Sequence, residues 1–266
     1  MPELPEVESA RAVIERAGLG RKIVEVDDSD TYVCRPHRPG QIRDALVGRA
    51  LTAAHRRGKS MWCDAGDDGP ELGIHLGMSG KIVIADPDGT EIDGGDYWEG
   101  RRGLGDYRWG RFSLTFADGG RLMLVDPRRL GRVRLDPPIA SLGPDAATMT
   151  PAEFRAALAS GTAPVKARLL DQEAIAGIGN LLADEILWSA RVNPGRPVDE
   201  LTTGDVDRLL RATRRAVRSA IRDGGVHTLG IIPFRTPGGR CPRDGAPMVK
   251  STVGGRTSWW CSREQA

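Results

Sequence analysis

The 266-residue chain is short of the features that mark secreted and membrane proteins. Four cysteines (Cys34, Cys63, Cys241 and Cys261) are too few at this length for a disulfide framework. Cys34 and Cys63 read as small core or surface residues. No apolar run approaches the ~20 residues that a membrane-spanning helix requires. The first residues lack a charged segment followed by an apolar one, so a secretion signal is not expected and a cytoplasmic location is. Net charge is also scarce, at +2. That small total conceals an asymmetry, because residues 205–263 carry twelve Lys or Arg against four Asp. A basic C-terminal part beside a mildly acidic remainder points to a polyanion partner, the plainer alternative being a solvated charged helix face.

The patterning changes along the chain. Residues 3–18 place Val7, Ala10, Val13, Ile14 and Ala17 on one helical stripe, ended by Gly18 and Gly20. Between about 21 and 135 come short strand-like runs such as KIVEV, SMWC, GKIVIA, RFSLTF, RLMLV and GRVRL. Turn-rich stretches separate them, which predicts a β-sandwich or barrel of roughly eight strands. Residues 92–110, Gly-rich and charged, read as a long surface loop, and 135–145 as a linker. Helical patterns follow. Thr150, Pro151 and Glu153 form a capping signature. The run from Asp205 puts Leu209, Leu210, Thr213, Val217, Ala220 and Ile221 on one face, six arginines over much of the rest, and Gly224 at its end. The Pro/Gly-rich tail from about 227 reads as a β-hairpin.

Several short stretches carry potential chemistry. The opening MPELPEVES has Pro5 suited to a first helical turn and Glu3, Glu6 and Glu8 suited to the positive end of the helix dipole, but that leaves Pro2 without a role. GIGN at 177–180 offers a tight turn and a helix start whose N–H groups, with the Asn180 amide, suit a phosphate; an ordinary helix–turn–helix corner is the alternative. In the tail, Cys241 and Cys261 are separated by nineteen residues with GGR between them, so a hairpin would present Arg256 near its tip. An arginine so placed is able to clamp a phosphate, or simply to face solvent. DPRRLG (126–131) sets Arg129 and Leu130 at a turn, and HLGMSG (75–80) adds Met78. An Arg–apolar pair on a loop can fill the gap left by an extruded nucleotide, although most such residues are packed turn residues.

Taken together, MPELPEVE, RRGKSMW, HLGMSG, DPRRLG and LLDQEAIAGIGNLLADEILW resemble, in this order and over nearly the whole chain, the bacterial formamidopyrimidine-DNA glycosylase and endonuclease VIII family. The resemblance implies an α+β multidomain protein. Its parts would be an N-terminal β-sandwich with flanking helices (1–136), a helix–two-turn–helix domain (137–226) and a C-terminal β-hairpin finger (227–266), with damaged double-stranded DNA held between the lobes. It also implies a bifunctional glycosylase and AP lyase of base excision repair, acting as a monomer. Removal of Met1 would make Pro2 a free secondary amine, which gives that residue its role. A terminal amine has a pKa near ~8, and a helix start disfavours its protonated form. The free base can attack a sugar C1′ and form an iminium. The iminium acidifies the C2′ proton, so the 3′ phosphate leaves by β-elimination and the 5′ phosphate by δ-elimination. On the same resemblance Glu3 shuttles protons, Glu6 orients Glu3 or the amine, and Lys59, counted with the catalytic group, contacts a phosphate flanking the lesion. His75, Asn180 and Arg256 are phosphate contacts, Lys166 lies near the active site on the DNA side, and Met78, Arg129 and Leu130 fill the void, with Arg129 facing the orphaned base. Glu185 is expected to support the helical domain.

The sequence departs from the family pattern in four places. The finger spacing that usually holds four cysteines reads Cys241, Asp244, Cys261 and Glu264, so a zincless finger held by Trp259, Trp260 and Pro242 is expected, with those four as ligands if zinc binds. The stretch from 224 to 241 is short where a loop over a flipped 8-oxoguanine is usual. Leu130 stands in place of Phe, and Phe234 in place of a phosphate-binding Tyr. These shift the expected lesion toward ring-opened purines, oxidised pyrimidines or abasic sites. An AP lyase with little base excision and a non-catalytic damaged-DNA-binding protein are the alternative functions.

Overall fold

The computed structural model describes residues 2–95 and 107–265. The chain divides into two compact units, one of Met1–Pro2 with Glu6–Ala140 and one of Glu3–Pro5 with Ser141–Ala266. Most of the expected loop at 92–110 lies outside the described residues; its first residues, up to Gly95, belong to a strand.

In the first unit, helix α1 (Leu4–Ala17) precedes nine strands: β1 (Ile23–Asp27), β2 (Ala53–Arg57), β3 (Ser60–Asp64), β4 (Glu71–His75), β5 (Lys81–Ala85), β6 (Glu91–Gly95), β7 (Gly110–Phe116), β8 (Arg121–Val125) and β9 (Arg132–Leu135). A short helix, α2 (Gln41–Leu46), follows β1. The strands form two antiparallel sheets, ordered β1-β7-β8-β5-β6 and β2-β3-β4-β9. Alternation supplies the core: Ile82, Ile84, Leu114, Leu122 and Leu124 come from one sheet and Met61, Cys63, Leu72, Ile74 and Val133 from the other, with Val7, Ala10, Val13 and Ile14 of α1. The β-sandwich is thus present, with one strand more than the runs predict. Cys34 and Cys63 both lie in this core, and burial pushes each thiol up to about 12.

The second unit holds α3 (Pro151–Ala157), α4 (Val165–Leu170), α5 (Asn180–Ala190) and α6 (Thr203–Asp223), then the hairpin β10 (Met248–Val253) and β11 (Arg256–Cys261). Thr150 and Glu153 form the expected capping box, and Thr202 with Asp205 forms a second one at α6. Each box is worth about 1 kcal/mol. Leu209, Leu210, Thr213, Val217 and Ala220 are buried as the periodicity predicts. Ile221, assigned to that face, is 40% exposed because it falls at the edge of the stripe. The arginines occupy the outer surface, except that Arg214 is half-buried and donates to the Met149 carbonyl at 3.2 Å. No helix among the described residues is long and apolar enough to cross a membrane.

Candidate nucleic-acid interface and active site

The three glutamates of the opening motif have three different fates. Glu3 is fully buried, and its carboxylate accepts the backbone N–H groups of Gly179 (3.0 Å), Leu181 (2.8 Å) and Leu182 (3.0 Å). The N–H of Leu4 donates to the Gly177 carbonyl at 3.2 Å. The start of α5 therefore is an anion site, as GIGN predicts, but the anion it holds is an internal carboxylate. This corrects the assignment of those backbone groups to a DNA phosphate. Gly179 has an ordinary negative φ of −112° and is required for space: a Cβ there would meet Glu3 Cδ at 2.2 Å. Glu6 is also buried, on the inner face of α1. Glu8 instead binds Arg11 at 2.8 Å and Arg56 at 2.8 Å. Burial would raise its carboxyl, but the two guanidinium groups hold it below the usual carboxylate range. Because Arg56 is the last residue but one of β2, this contact ties α1 to the strand end that leads into the β2–β3 turn carrying Lys59. Sequence reasoning missed that role; the pairing of a helix acid with a strand arginine has no local signature.

At the same end of the β2-β3-β4-β9 sheet, His75 lies opposite Ser60 and Arg132. Its Nδ1 accepts the Gly77 N–H at 3.0 Å, which leaves Nε2 as the donor of the neutral ring. The ring keeps exposed surface, yet desolvation by its neighbours, followed by the cations of Lys59 and Arg132, lowers its pKa. Asp126, fully buried, accepts from Ser79 Oγ at 2.5 Å, Gly131 N at 2.7 Å and Arg128 N at 3.1 Å. One carboxylate thus fastens the 126–131 loop to the 75–80 turn. Gly77 completes the fit: with φ +62° it approaches the Leu130 carbonyl so closely that a Cβ would sit 2.4 Å away. Met78 and Leu130 project from these joined loops, 36% and 39% exposed.

Arg129 is placed differently from the expectation. Its Nε and Nη2 bind Asp30 at 3.0 and 2.8 Å, a bidentate pair made within the protein. Its neighbour Arg128 is exposed, and its side chain has no hydrogen bond or ion pair among the described residues.

Lys166 likewise differs from its assignment as a DNA contact. It is fully buried, with Nζ 2.7 Å from Asp184 Oδ1, 2.9 Å from the Thr257 carbonyl and 2.8 Å from Ser258 Oγ. The second Asp184 oxygen accepts from Arg235 Nε at 2.8 Å and from the Trp259 N–H at 3.1 Å. Burial lowers the Lys166 pKa despite Asp184. Taking either partner away would leave a buried charge uncompensated, at a cost of about 3–5 kcal/mol. Lys166 therefore supports strand β11, at whose start Arg256 stands exposed. The β10–β11 turn is Gly254–Gly255, both at positive φ (+57° and +71°), and a Cβ on Gly254 would sit 2.9 Å from Ala167 Cβ. Asn180, at the start of α5, is half-buried with its Oδ1 enclosed and unpartnered. Glu185 accepts the Ile231 N–H at 2.9 Å, in keeping with a supporting role, and burial raises its pKa.

At the base of the finger, Cys241, Asp244 and Cys261 bring one ligand atom each within 4.8 Å of the others. Glu264 does not join them: Arg243 holds its carboxylate at 2.6 Å and Arg191 at 3.5 Å. The Cys261 thiol lies 3.6 Å from an Asp244 oxygen, and Trp188 Nε1 donates to Cys241 Sγ at 3.4 Å. A closed four-ligand zinc centre therefore does not fit the residues present. Packing closes the base, through Trp259 as expected but with Trp188 of α5 in place of Pro242, which is exposed, and Trp260, which is half-exposed. Gln265 adds a buried link, accepting from Cys261 N at 2.8 Å and donating to the Val192 carbonyl at 2.9 Å.

Sequence models of the formamidopyrimidine-DNA glycosylase N-terminal domain and H2TH domain match residues 1–133 and 141–229. The chain belongs to the formamidopyrimidine-DNA glycosylase family. A formamidopyrimidine-DNA glycosylase of Nocardioides sp. is 35% identical, covering 98% of this chain and 93% of the relative. One of Chloroflexus aurantiacus is 33% identical over 98% of this chain and 96% of its own length. Among solved structures, the Lactococcus lactis enzyme in complex with abasic-site DNA is similar, with a TM-score of 0.82 and 27% identity over 99% of both chains. A MutM complex with DNA containing carbocyclic 8-oxo-G gives 0.83 and 28%, again over 99% of both chains.

The fit of Gly179 around Glu3 generates a direct test. In Gly179→Ala the methyl group displaces the carboxylate, and displacement of a reacting group by about 1 Å costs on the order of a hundredfold in rate. Cleavage of abasic-site duplexes under single-turnover conditions is expected to fall by that order, while duplex affinity changes by less than about threefold. Full cleavage by a folded variant would show that the seat of Glu3 does not matter.

Proposed function

We propose that this protein is a bifunctional DNA glycosylase and AP lyase of base excision repair. The observation that carries the reading is the carboxylate of Glu3, seated on three N–H groups at the start of α5 and one residue from the Pro2 nitrogen. With Met1 removed, Pro2 attacks C1′, the damaged base departs, and the resulting iminium drives β- and then δ-elimination. Glu3 delivers a proton to the opening sugar and moves protons in the later steps, with Glu6 one helical turn on as the orienting group. Lys59, His75, Asn180 and Arg256 hold phosphates of the damaged strand; His75 does so as a neutral donor through Nε2.

Met78 and Leu130 fill the space vacated by the extruded nucleotide. We assign the orphaned base to Arg128 rather than Arg129, since Arg129 is engaged with Asp30 on both donors. Lys166 serves the clamp indirectly, by holding the strand on which Arg256 stands. The short stretch before Cys241 supports abasic sites, oxidised pyrimidines and ring-opened purines as substrates ahead of 8-oxoguanine. The finger works without zinc, since Glu264 is committed to Arg243 and the hairpin is held by the Lys166–Asp184–Arg235 charges. The protein acts as a monomer on damaged duplex DNA, associated with the nucleoid in the cytoplasm.

Three measurements test the reading. Borohydride is expected to trap a covalent adduct on duplexes bearing an abasic site, dihydrouracil or 5-hydroxyuracil, and to trap none once the Pro2 nitrogen is acetylated. An adduct on the abasic duplex alone would reduce the activity to a lyase, and no adduct on any duplex would leave a DNA-binding protein. Arg128→Ala is expected to weaken the dependence of cleavage rate on the base opposite the lesion, with Arg129→Ala acting through stability; the reverse pattern would restore Arg129 to the orphaned base. Zinc assayed in purified protein is expected well below one equivalent, with duplex affinity unchanged by a chelator. A full equivalent whose removal abolishes binding would contradict the metal-free finger.

A further inference from the structure

The segment after β1 carries an aromatic side chain that the reaction does not use. Tyr32 is 46% exposed, and three guanidinium groups surround its ring: Arg35 at 3.8 Å from the centroid, Arg129 at 5.9 Å and Arg132 at 6.0 Å. The backbone beneath it is fastened on both sides. Asp30 Oδ1 accepts the N–H groups of Tyr32 and Val33 at 3.1 Å each, and the Val33 carbonyl accepts the Val133 N–H of β9 at 2.9 Å. Arg132 Nη1 donates to the Tyr32 carbonyl at 3.2 Å, and Arg35 donates to the same oxygen. The ring is therefore held out toward solvent by a fixed frame.

The charge around it is poorly balanced. Asp30 pairs with Arg129 and lies 4.0 Å from Arg111, so it is already committed. Burial, then repulsion from Arg35 and Arg134, lowers the Arg132 pKa, as expected for positive charges crowded together. A half-exposed aromatic ring with Arg35 stacked on it and Arg132 beside it, neither paired with a carboxylate among the described residues, has the chemistry of a nucleotide platform, stacking a base and meeting its phosphate.

Sheet order gives the platform its strand. Along one end of the β2-β3-β4-β9 sheet come Lys59 in the β2–β3 turn, His75 closing β4 and Arg132 opening β9, with Tyr32 attached beyond β9. The loop bearing Arg128 and Leu130 leads directly into β9. Lys59 and His75 thus stand on one side of that loop and Tyr32 on the other. If the first pair grips the damaged strand, the far side faces its complement.

We propose that Tyr32, Arg35 and Arg132 form a platform that binds a nucleotide of the strand opposite the lesion. The inference rests on the DNA-binding part of the function proposed above. Its test uses the full chain with a stable tetrahydrofuran abasic analogue, so that catalysis is not needed. Tyr32→Ala is expected to weaken binding of the duplex roughly tenfold, the scale of one lost base–aromatic stack. Tyr32→Phe keeps the stack and is expected to bind within about twofold of the parent. The single-stranded form of the same oligonucleotide is expected to bind Tyr32→Ala and the parent alike. Arg35→Gln gives a second variant, with a duplex-specific loss and a shallower salt dependence. Equal weakening on single strand and duplex, or unchanged duplex binding by Tyr32→Ala, overturns the proposal. Failure of the parent to trap an adduct with borohydride would instead overturn the catalytic reading and leave this measurement valid.

Discussion

Three backbone N–H groups at the start of α5 converge on the carboxylate of Glu3. A buried carboxylate without donors would cost several kcal/mol, so the carboxylate and the helix start require each other. Gly179 is the steric condition for this arrangement. The arrangement fixes the carboxylate of Glu3, next in the chain to Pro2, which the proposed function makes the proton carrier beside the nucleophile. A helix terminus that by sequence suits a phosphate is thus given to an internal anion.

The finger follows a similar principle with different groups. Asp184 is shared by Lys166 and Arg235, and Lys166 and Asp184 bond to Thr257, Ser258 and Trp259 of β11. Such a cluster is directional, because Lys166 Nζ makes three hydrogen bonds and both Asp184 oxygens accept, and a shift of the strand would strand a buried charge. It fastens the hairpin to the body of the unit. The cysteine pair that remains is sealed by Trp188, while Arg243 stacks on that indole at 3.8 Å and draws Glu264 away.

Much of this was legible from residue order. The cap at Thr150, the buried stripe of α6, the alternating strands and the Gly254–Gly255 turn all depend on neighbours within a few positions, where propensity and periodicity act. So did the membership in the family, carried by motifs whose order is itself information. The long-range pairings were not legible. Arg129 and Asp30 are 99 residues apart, Arg56 and Glu8 are 48 apart, and Lys166 and Ser258 are 92 apart. Nothing local distinguishes a basic side chain destined for DNA from one destined for a carboxylate far along the chain, so the internal pairings of Arg129 and Lys166 are invisible to sequence.

The amino-acid order alone determined which side chains are available: a proline second in the chain, an acid beside it, and basic side chains on turns. These follow from residue identity and short spacing. Tertiary structure decided which of those groups are spent internally. It seated Glu3 on α5, closed Lys166 behind β11, bound Arg129 to Asp30 and left Arg128 and Tyr32 facing outward. The reason is physical: a charge is satisfied by whatever partner folding brings within about 3 Å, and that partner is set by packing rather than by proximity in the chain.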